Sequence, residues 1–390
     1  MNPSSVSLPE SEAVDAALAG ECSRPTEDSI EILMRNDAKQ TRGCKSRVVA
    51  WAAAWLGCFT LSTEAWADPA SAVPRPGSAW NVNLPVRAAS FTPSPGAARL
   101  VPVPHWPQLP KEIILERVSD VAVDSRGFVY VAHRGEHPLL CLNPDGSLRR
   151  MVGESVLHKS TAYDLRGPVV LPLEERHWVH GLFVDASDNV WLTDVGRNQV
   201  FKFDPAGALV MTLGTDRVPG EDDRHFYQPT HVAVAAAGEI FVTDGYGNSR
   251  VVKFSPEGKF LKAWGTPGLK PGEFHTPHSV VLDKAGILYV TDRENDRIQV
   301  FDGEGKLRAI WPGLHSVDGL CLGNDGLIYG SAGVDKCLIR FDLEGHVQDV
   351  RGGPDSFTYP HGIWVDRAGY VYVADVGAAR ILKFAPAPRP

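Results

Sequence analysis

VVLDKAGILYVTDRENDRIQVFDGEGKLRAIWP, residues 280–312, contains one whole structural unit of this chain. An apolar run at 280–282 meets an Asp-x-x-Gly turn at 283–286, and a second apolar run ends at Thr291-Asp292. After a charged link, IQVF (298–301), the turn DGEG and LRAIW repeat the arrangement. Short β-branched and aromatic runs broken by Asp/Gly turns read as successive hairpins, hence four antiparallel strands.

The first half of this unit recurs six times: VAVDSRGFVYVAHR (121), LFVDASDNVWLTDV (182), VAVAAAGEIFVTDG (232), VVLDKAGILYVTDR (280), LCLGNDGLIYGSAG (320) and IWVDRAGYVYVADV (363). Four strands per unit, spaced about 40 to 60 residues apart, is the signature of a propeller blade. The expected fold is therefore all-β, a six-bladed β-propeller over residues 106–386. The sixth copy stops at ILKF (381–384), one strand short. Because an open blade edge is an aggregation template, an N-terminal strand from about 99–118 is expected to close it.

Outside the repeats the chain reads differently. Residues 1–67 are expected to be an N-terminal extension and signal peptide. A polar stretch reaches 33, and Met34 is an alternative start. A basic segment carrying Arg35, Lys39, Arg42, Lys45 and Arg47 then precedes the apolar VVAWAAAWLGCFTL. Ala65-Trp66-Ala67 has the small-x-small form of a cleavage site, so export with cleavage after Ala67 is expected, leaving no membrane span. Residues 68–105 form a Pro/Ala-rich linker. Cleavage would leave Cys141, Cys321 and Cys337, no disulfide framework; Cys321 and Cys337 share one repeat and could pair, but two buried structural thiols are the expectation. A net charge of -8 argues against nucleic acid as a partner. A monomer is expected.

Three histidines stand out. His180, His278 and His361 each lie two residues before the apolar run of alternate repeats, where the other copies carry Ser119, Thr230 and Asp318. In a closed ring, equal phase means equal height and equal distance from the axis. Three imidazoles then converge at roughly 120°, the facial set a catalytic Zn²⁺ uses while keeping an open position. The plainer alternative is polar side chains that line a channel and bind water. Asp318 would face the metal or hydrogen-bond within the channel. His231 is one residue out of phase and should point elsewhere, while His133, His137, His225 and His275 read as loop groups or as groups that support the site from behind.

A second phase puts Asp194, Asp244, Asp292 and Asp375 at one position, as structural residues tying a turn to the neighbouring blade. At the following position most copies carry Val or Gly, but Arg134 and Arg293 appear three blades apart, with Tyr246 at the same face. Two guanidiniums there suit a carboxylate-bearing small molecule or peptide. The alternative is salt bridges to Glu136, Glu294 or Asp296. Tyr246 is a candidate base, or a packed aromatic.

These residues carry a resemblance to a known family. VHGLFVDASDNVWLTDV, FVTDGYGNSRVVKFSPEGKF, TPHSVVL, VTDRENDRIQVF and YPHGIWVD resemble the NHL-repeat six-bladed propellers. Within them, the chain is similar to the peptidyl-α-hydroxyglycine α-amidating lyases over about 106–386. The resemblance implies His180, His278 and His361 as zinc ligands, Arg134 and Arg293 as active-site arginines, and Tyr246 as the catalytic tyrosine. It implies a zinc-dependent lyase that splits the C–N bond of a C-terminal α-hydroxyglycine into an amide and glyoxylate. It also implies a structural Ca²⁺ held partly by the backbones of Val121 and Leu182. The family's animal members carry Asp after the third histidine as a Ca²⁺ ligand, where this chain has Gly362. They carry a half-cystine beside the tyrosine, where it has Gly247. A non-catalytic NHL propeller that binds protein or glycan, and another metal-dependent propeller lyase or lactonase, are the competing readings.

Overall fold

The computed structural model describes residues 90–94, 100–165, 167 and 169–386. The expected signal peptide, its cleavage site and most of the linker lie outside the described residues. No described helix is long and apolar enough to cross a membrane.

The strands form five four-stranded sheets and one three-stranded sheet, each an antiparallel meander, plus a two-stranded hairpin, Tyr163–Asp164 with Leu171–Pro172. The first strands are Asp120–Val123, Val179–Val184, Pro229–Val234, Pro277–Leu282, Val317–Leu322 and Pro360–Val365. Each contacts the next around a ring, and the sixth returns to the first. The architecture is a six-bladed propeller.

Local chemistry explains the hairpins. The Asp283 carboxylate accepts from the backbone N–H groups of Ala285 and Ile287, and Gly286 takes a left-handed φ of 78°. That Asp turn leaves the flanking residues free to pair. Alternation then sends one face of each sheet into the gap between blades. Phe201 and Phe203 of blade two bury against Tyr130 and Leu139 of blade one. Phe301 and Phe241 join blades three and four in the same way. Each such phenyl contributes on the order of 2–3 kcal/mol.

The closing strand takes a different form from the one expected. Val103 N–H donates to Lys383 O and Ala385 N–H to Val101 O, around a single antiparallel bridge at Pro102–Phe384. The chain then leaves blade six, and Gln108 bridges Ser147 of blade one. Pro102, Pro104, Pro107 and Pro110 are the reason, since proline cannot donate to a ladder. Ring closure therefore rests on the contacts between blades six and one.

Candidate metal centre

The first strand of a blade would ordinarily aim every second side chain along one face. Five first strands instead carry a register shift at the histidine phase. In blade two it falls between Val179 and Leu182, in blade four between Pro277 and Val280, and in blade six between Pro360 and Gly362. One extra residue there is a β-bulge, a device that re-aims a side chain. It turns His180, His278 and His361 toward the axis.

Their ligand atoms lie within 4.8 Å of one another, and all three residues are buried. The ring centroids stand 4.8, 4.8 and 4.9 Å apart, and each pair of rings is inclined at 82°. The in-phase residues of the intervening blades supply the other half of the geometry. Nδ1 of His180 lies 2.7 Å from Thr230 O, Nδ1 of His278 3.0 Å from Asp318 O, and Nδ1 of His361 2.6 Å from Ser119 O. A carbonyl can only accept, so each Nδ1 carries the proton and each Nε2 offers a lone pair. Alternation is thus complete: three blades give imidazoles and three give the carbonyls that hold them.

Close blade approach makes this possible. A Cβ on Gly181 would come within 2.4 Å of Thr230 O, the acceptor for the neighbouring His180. The N–H groups of Gly181 and Ser279 are fixed by the hydroxyls of Thr193 and Thr291 at 2.7 and 2.8 Å.

Burial is the main reason that His180 and His278 hold their protons far less tightly than free imidazole. The positive charges of Arg134 and Arg293 add to it, for His180 and His278 respectively. His361 is lowered too, again by burial, against the pull of Asp318. Three neutral imidazoles with pinned Nδ1 atoms and convergent Nε2 atoms suit a borderline divalent metal such as zinc. An all-oxygen cage would suit calcium or magnesium instead.

The structure brings Tyr246, Arg134 and Arg293 to this centre. The Tyr246 hydroxyl lies 2.9 Å from Nε2 of His180 and 3.0 Å from Nε2 of His278. Arg293 stands over the Tyr246 ring at 5.6 Å and is bonded to Asp318 at 3.2 Å and Glu294 at 3.0 Å. Of the alternative partners weighed for it, Glu294 is real, but the group is buried, not a surface pair. Burial works against its charge, and Tyr246, Glu294 and Asp318 hold that charge in place. Arg134, also buried, lies over the Trp178 ring at 4.7 Å.

Asp318 takes the second of its two expected roles. Its carboxylate does not join the metal set; it accepts from Arg293 and from Gly333 N–H. His231 is not one of the three convergent histidines; its Nε2 faces Asp120 at 3.4 Å, beside the cavity that the three also line. The repeated aspartates tie the loop entering their own blade, not the neighbouring blade: Asp244 accepts from Tyr227 N–H and Arg250, and Asp292 from His275 N–H and Arg297. Gly247, beside Tyr246, bonds to Tyr227 O at 2.9 Å, and a Cβ there would meet the Tyr227 ring. Packing replaces a disulfide at this point. Cys141, Cys321 and Cys337 are buried free thiols.

One histidine expected as a loop or supporting group shows its role here, and one further residue, Trp178, escaped the sequence reading. His133 accepts through Nδ1 from Gly135 N–H at 3.2 Å and so braces the backbone around Arg134, with burial pushing it down to about 4. Trp178 provides the face under Arg134 and packs with Leu173 and Tyr246. Only the arginine phase hinted that something must flank Arg134.

Val121 and Leu182 both lie beside Asp120. Their N–H groups both donate to the Asp120 carboxylate, each at 2.8 Å.

Comparison with known proteins adds to this picture. The NHL repeat model matches residues 226–254 and 274–301. The peptidyl-α-hydroxyglycine α-amidating lyase 2 of Drosophila melanogaster is 31% identical, over 76% of this chain and 75% of that protein. The peptidyl-glycine α-amidating monooxygenase of Mus musculus is 32% identical over 72% of this chain, which spans only 31% of its length. Among solved structures, a streptogramin B lyase matches with a TM-score of 0.50 and 17% identity, over 70% of this chain and 94% of that one, a likeness of fold.

Proposed function

We propose, from the premise that the chain belongs to the family of NHL-repeat propellers that includes the peptidyl-α-hydroxyglycine α-amidating lyases, that it is a zinc-dependent C–N lyase. Its substrate is an N-acylated α-hydroxyglycine with a free carboxylate, and its products are a primary amide and glyoxylate. One observation carries this reading beyond family membership: the Tyr246 hydroxyl sits at the convergence of two ligand Nε2 atoms, beneath the Arg293 guanidinium.

Bound by the three Nε2 atoms, zinc supplies Lewis acidity at the substrate hydroxyl. The chain's own residues do the rest. Arg134, backed by Trp178, binds the carboxylate and orients the reacting carbon. Tyr246 holds a proton at the hydroxyl oxygen, and Arg293 stabilises negative charge on the phenol oxygen. The hydroxyl proton leaves, the C–N bond breaks as the C=O bond forms, and the amide nitrogen gains a proton. No net proton is released. Burial of the arginines and histidines keeps these charges in a low-dielectric setting, where they act strongly. Export of the mature chain after Ala67 is part of the same proposal.

The test is direct: the purified protein is incubated with an N-acyl-α-hydroxyglycine, and amide and glyoxylate are measured. Equal amounts of both, in a reaction stopped by chelation, are expected. Neither product would appear if the propeller were only a binding scaffold.

A further inference from the structure

Inside the channel, on the side of the histidine triad lined by Asp120, His231, Ser279, Gly319 and Gly362, a small cavity adjoins the metal centre. The resemblance implies a calcium ion in this region, with a carboxylate after the third histidine. That position is Gly362, and the reason it is glycine is visible. A Cβ there would come within 2.1 Å of Asp120 Oδ1 and 2.6 Å of its Cα. The close approach of the Asp120 backbone thus excludes a side chain at 362, and the acid beside this cavity stands on blade one instead of blade six.

The surroundings of that acid are wrong for calcium. Calcium takes about six to eight oxygen ligands, usually with several carboxylates. Asp120 instead faces donors: Val121 N–H on Oδ1, Leu182 N–H on Oδ2, and Nε2 of His231 at 3.4 Å from Oδ2. Both side chains are nearly buried, at 8% and 11% exposure for Asp120 and His231. His231 Nδ1 has no hydrogen-bond partner among the described residues, so Asp120 is the polar group its ring faces. A buried carboxylate needs hydrogen bonds and a nearby donor or positive group. Here the protein supplies all of them.

We propose that the Asp120–His231 pair replaces the structural cation, joining blade one to blade three across the channel and making the fold independent of calcium. Asp120 and His231 are positioning residues, and the inference does not depend on which reaction the triad performs.

The experiment uses full-length protein stripped of metal and reloaded with one equivalent of zinc. Calorimetric titration with calcium should show no saturable uptake, and the melting temperature should be the same with and without millimolar calcium. His231→Asp, which adds a second carboxylate beside Asp120, should melt lower than the wild type and recover on adding calcium. His231→Gln, which keeps a donor, should melt closer to the wild type than His231→Ala. Zinc content, measured alongside, should stay at one per chain in all of them. Saturable calcium binding by the wild type, with a rise in its melting temperature, would overturn the proposal even if no variant could be purified. Unchanged melting of His231→Ala would overturn it as well.

Discussion

Nδ1 of His361 donates to the carbonyl oxygen of Ser119 at 2.6 Å, joining residues 242 apart in sequence. The last blade thereby reaches the first through a side chain of the candidate metal centre. Beside the pairing of Val101 and Val103 with Ala385 and Lys383 in the sixth sheet, this bond is a further tie between the last blade and the first. Metal binding to the folded chain should therefore raise its melting temperature, by linkage of about 2.7 kcal/mol at a free-metal concentration a hundredfold above the dissociation constant. Thermal melts of stripped and zinc-loaded protein measure this, and His361→Ala should abolish the difference.

Tyr246→Phe keeps the ring that packs on Trp178 and Leu173 but removes the oxygen beside His180 and His278. Zinc content should stay at one per chain while kcat falls about 10²–10⁴-fold, the range for losing a group that handles the proton. Steady-state glyoxylate release with metal analysis on the same sample checks both halves.

Asp318 serves His278 through its backbone and Arg293 through its carboxylate. Asp318→Ala keeps the first and removes the second, together with the acceptor for Gly333 N–H. Stability should fall by about 3 kcal/mol, the low end for breaking a buried ion pair, because Glu294 still faces Arg293. Metal stoichiometry should hold, and kcat/KM should fall as Arg293 loses its position. Urea melts, zinc analysis and kinetics separate these outcomes.

Asp194 is fully buried, and burial raises its carboxyl to about 6 against the ordinary 3.8. A raised acid favours the folded state while both forms are protonated, and that advantage is lost as pH climbs from 3.8 through 6. Asp194→Asn never ionises. Its stability relative to the wild type should therefore rise by about 3 kcal/mol between pH 3 and pH 7 and then stay flat. Equilibrium unfolding at a series of pH values gives the curve, and a difference that stays constant with pH would count against a raised Asp194.

Much of this molecule was legible because a propeller repeats. Six copies fix blade count, and equal phase brought His180, His278 and His361 together before any coordinates. The arginine and tyrosine positions followed from the same logic. What phase cannot report is which atom acts. Ser119, Thr230 and Asp318 stood out by position, yet they hold the ligands through backbone carbonyls that every residue has. Asp120 stands just before an apolar run, at a position no phase singled out, and its meaning depends on Gly362, which is distant in sequence and adjacent across the ring. The expected closing strand is seen only as a short pairing of residues 101–103 with blade six, because four prolines at 102–110 cannot donate to a longer ladder.

The central claim is that one metal, held by the three histidines, switches on C–N cleavage. Stripped protein titrated with zinc while glyoxylate release from an N-acyl-α-hydroxyglycine is followed tests it most directly. The rate should climb linearly to one zinc per chain and then level off, and His278→Ala should stay near zero throughout. Full turnover in the stripped protein, or in His278→Ala, would contradict it.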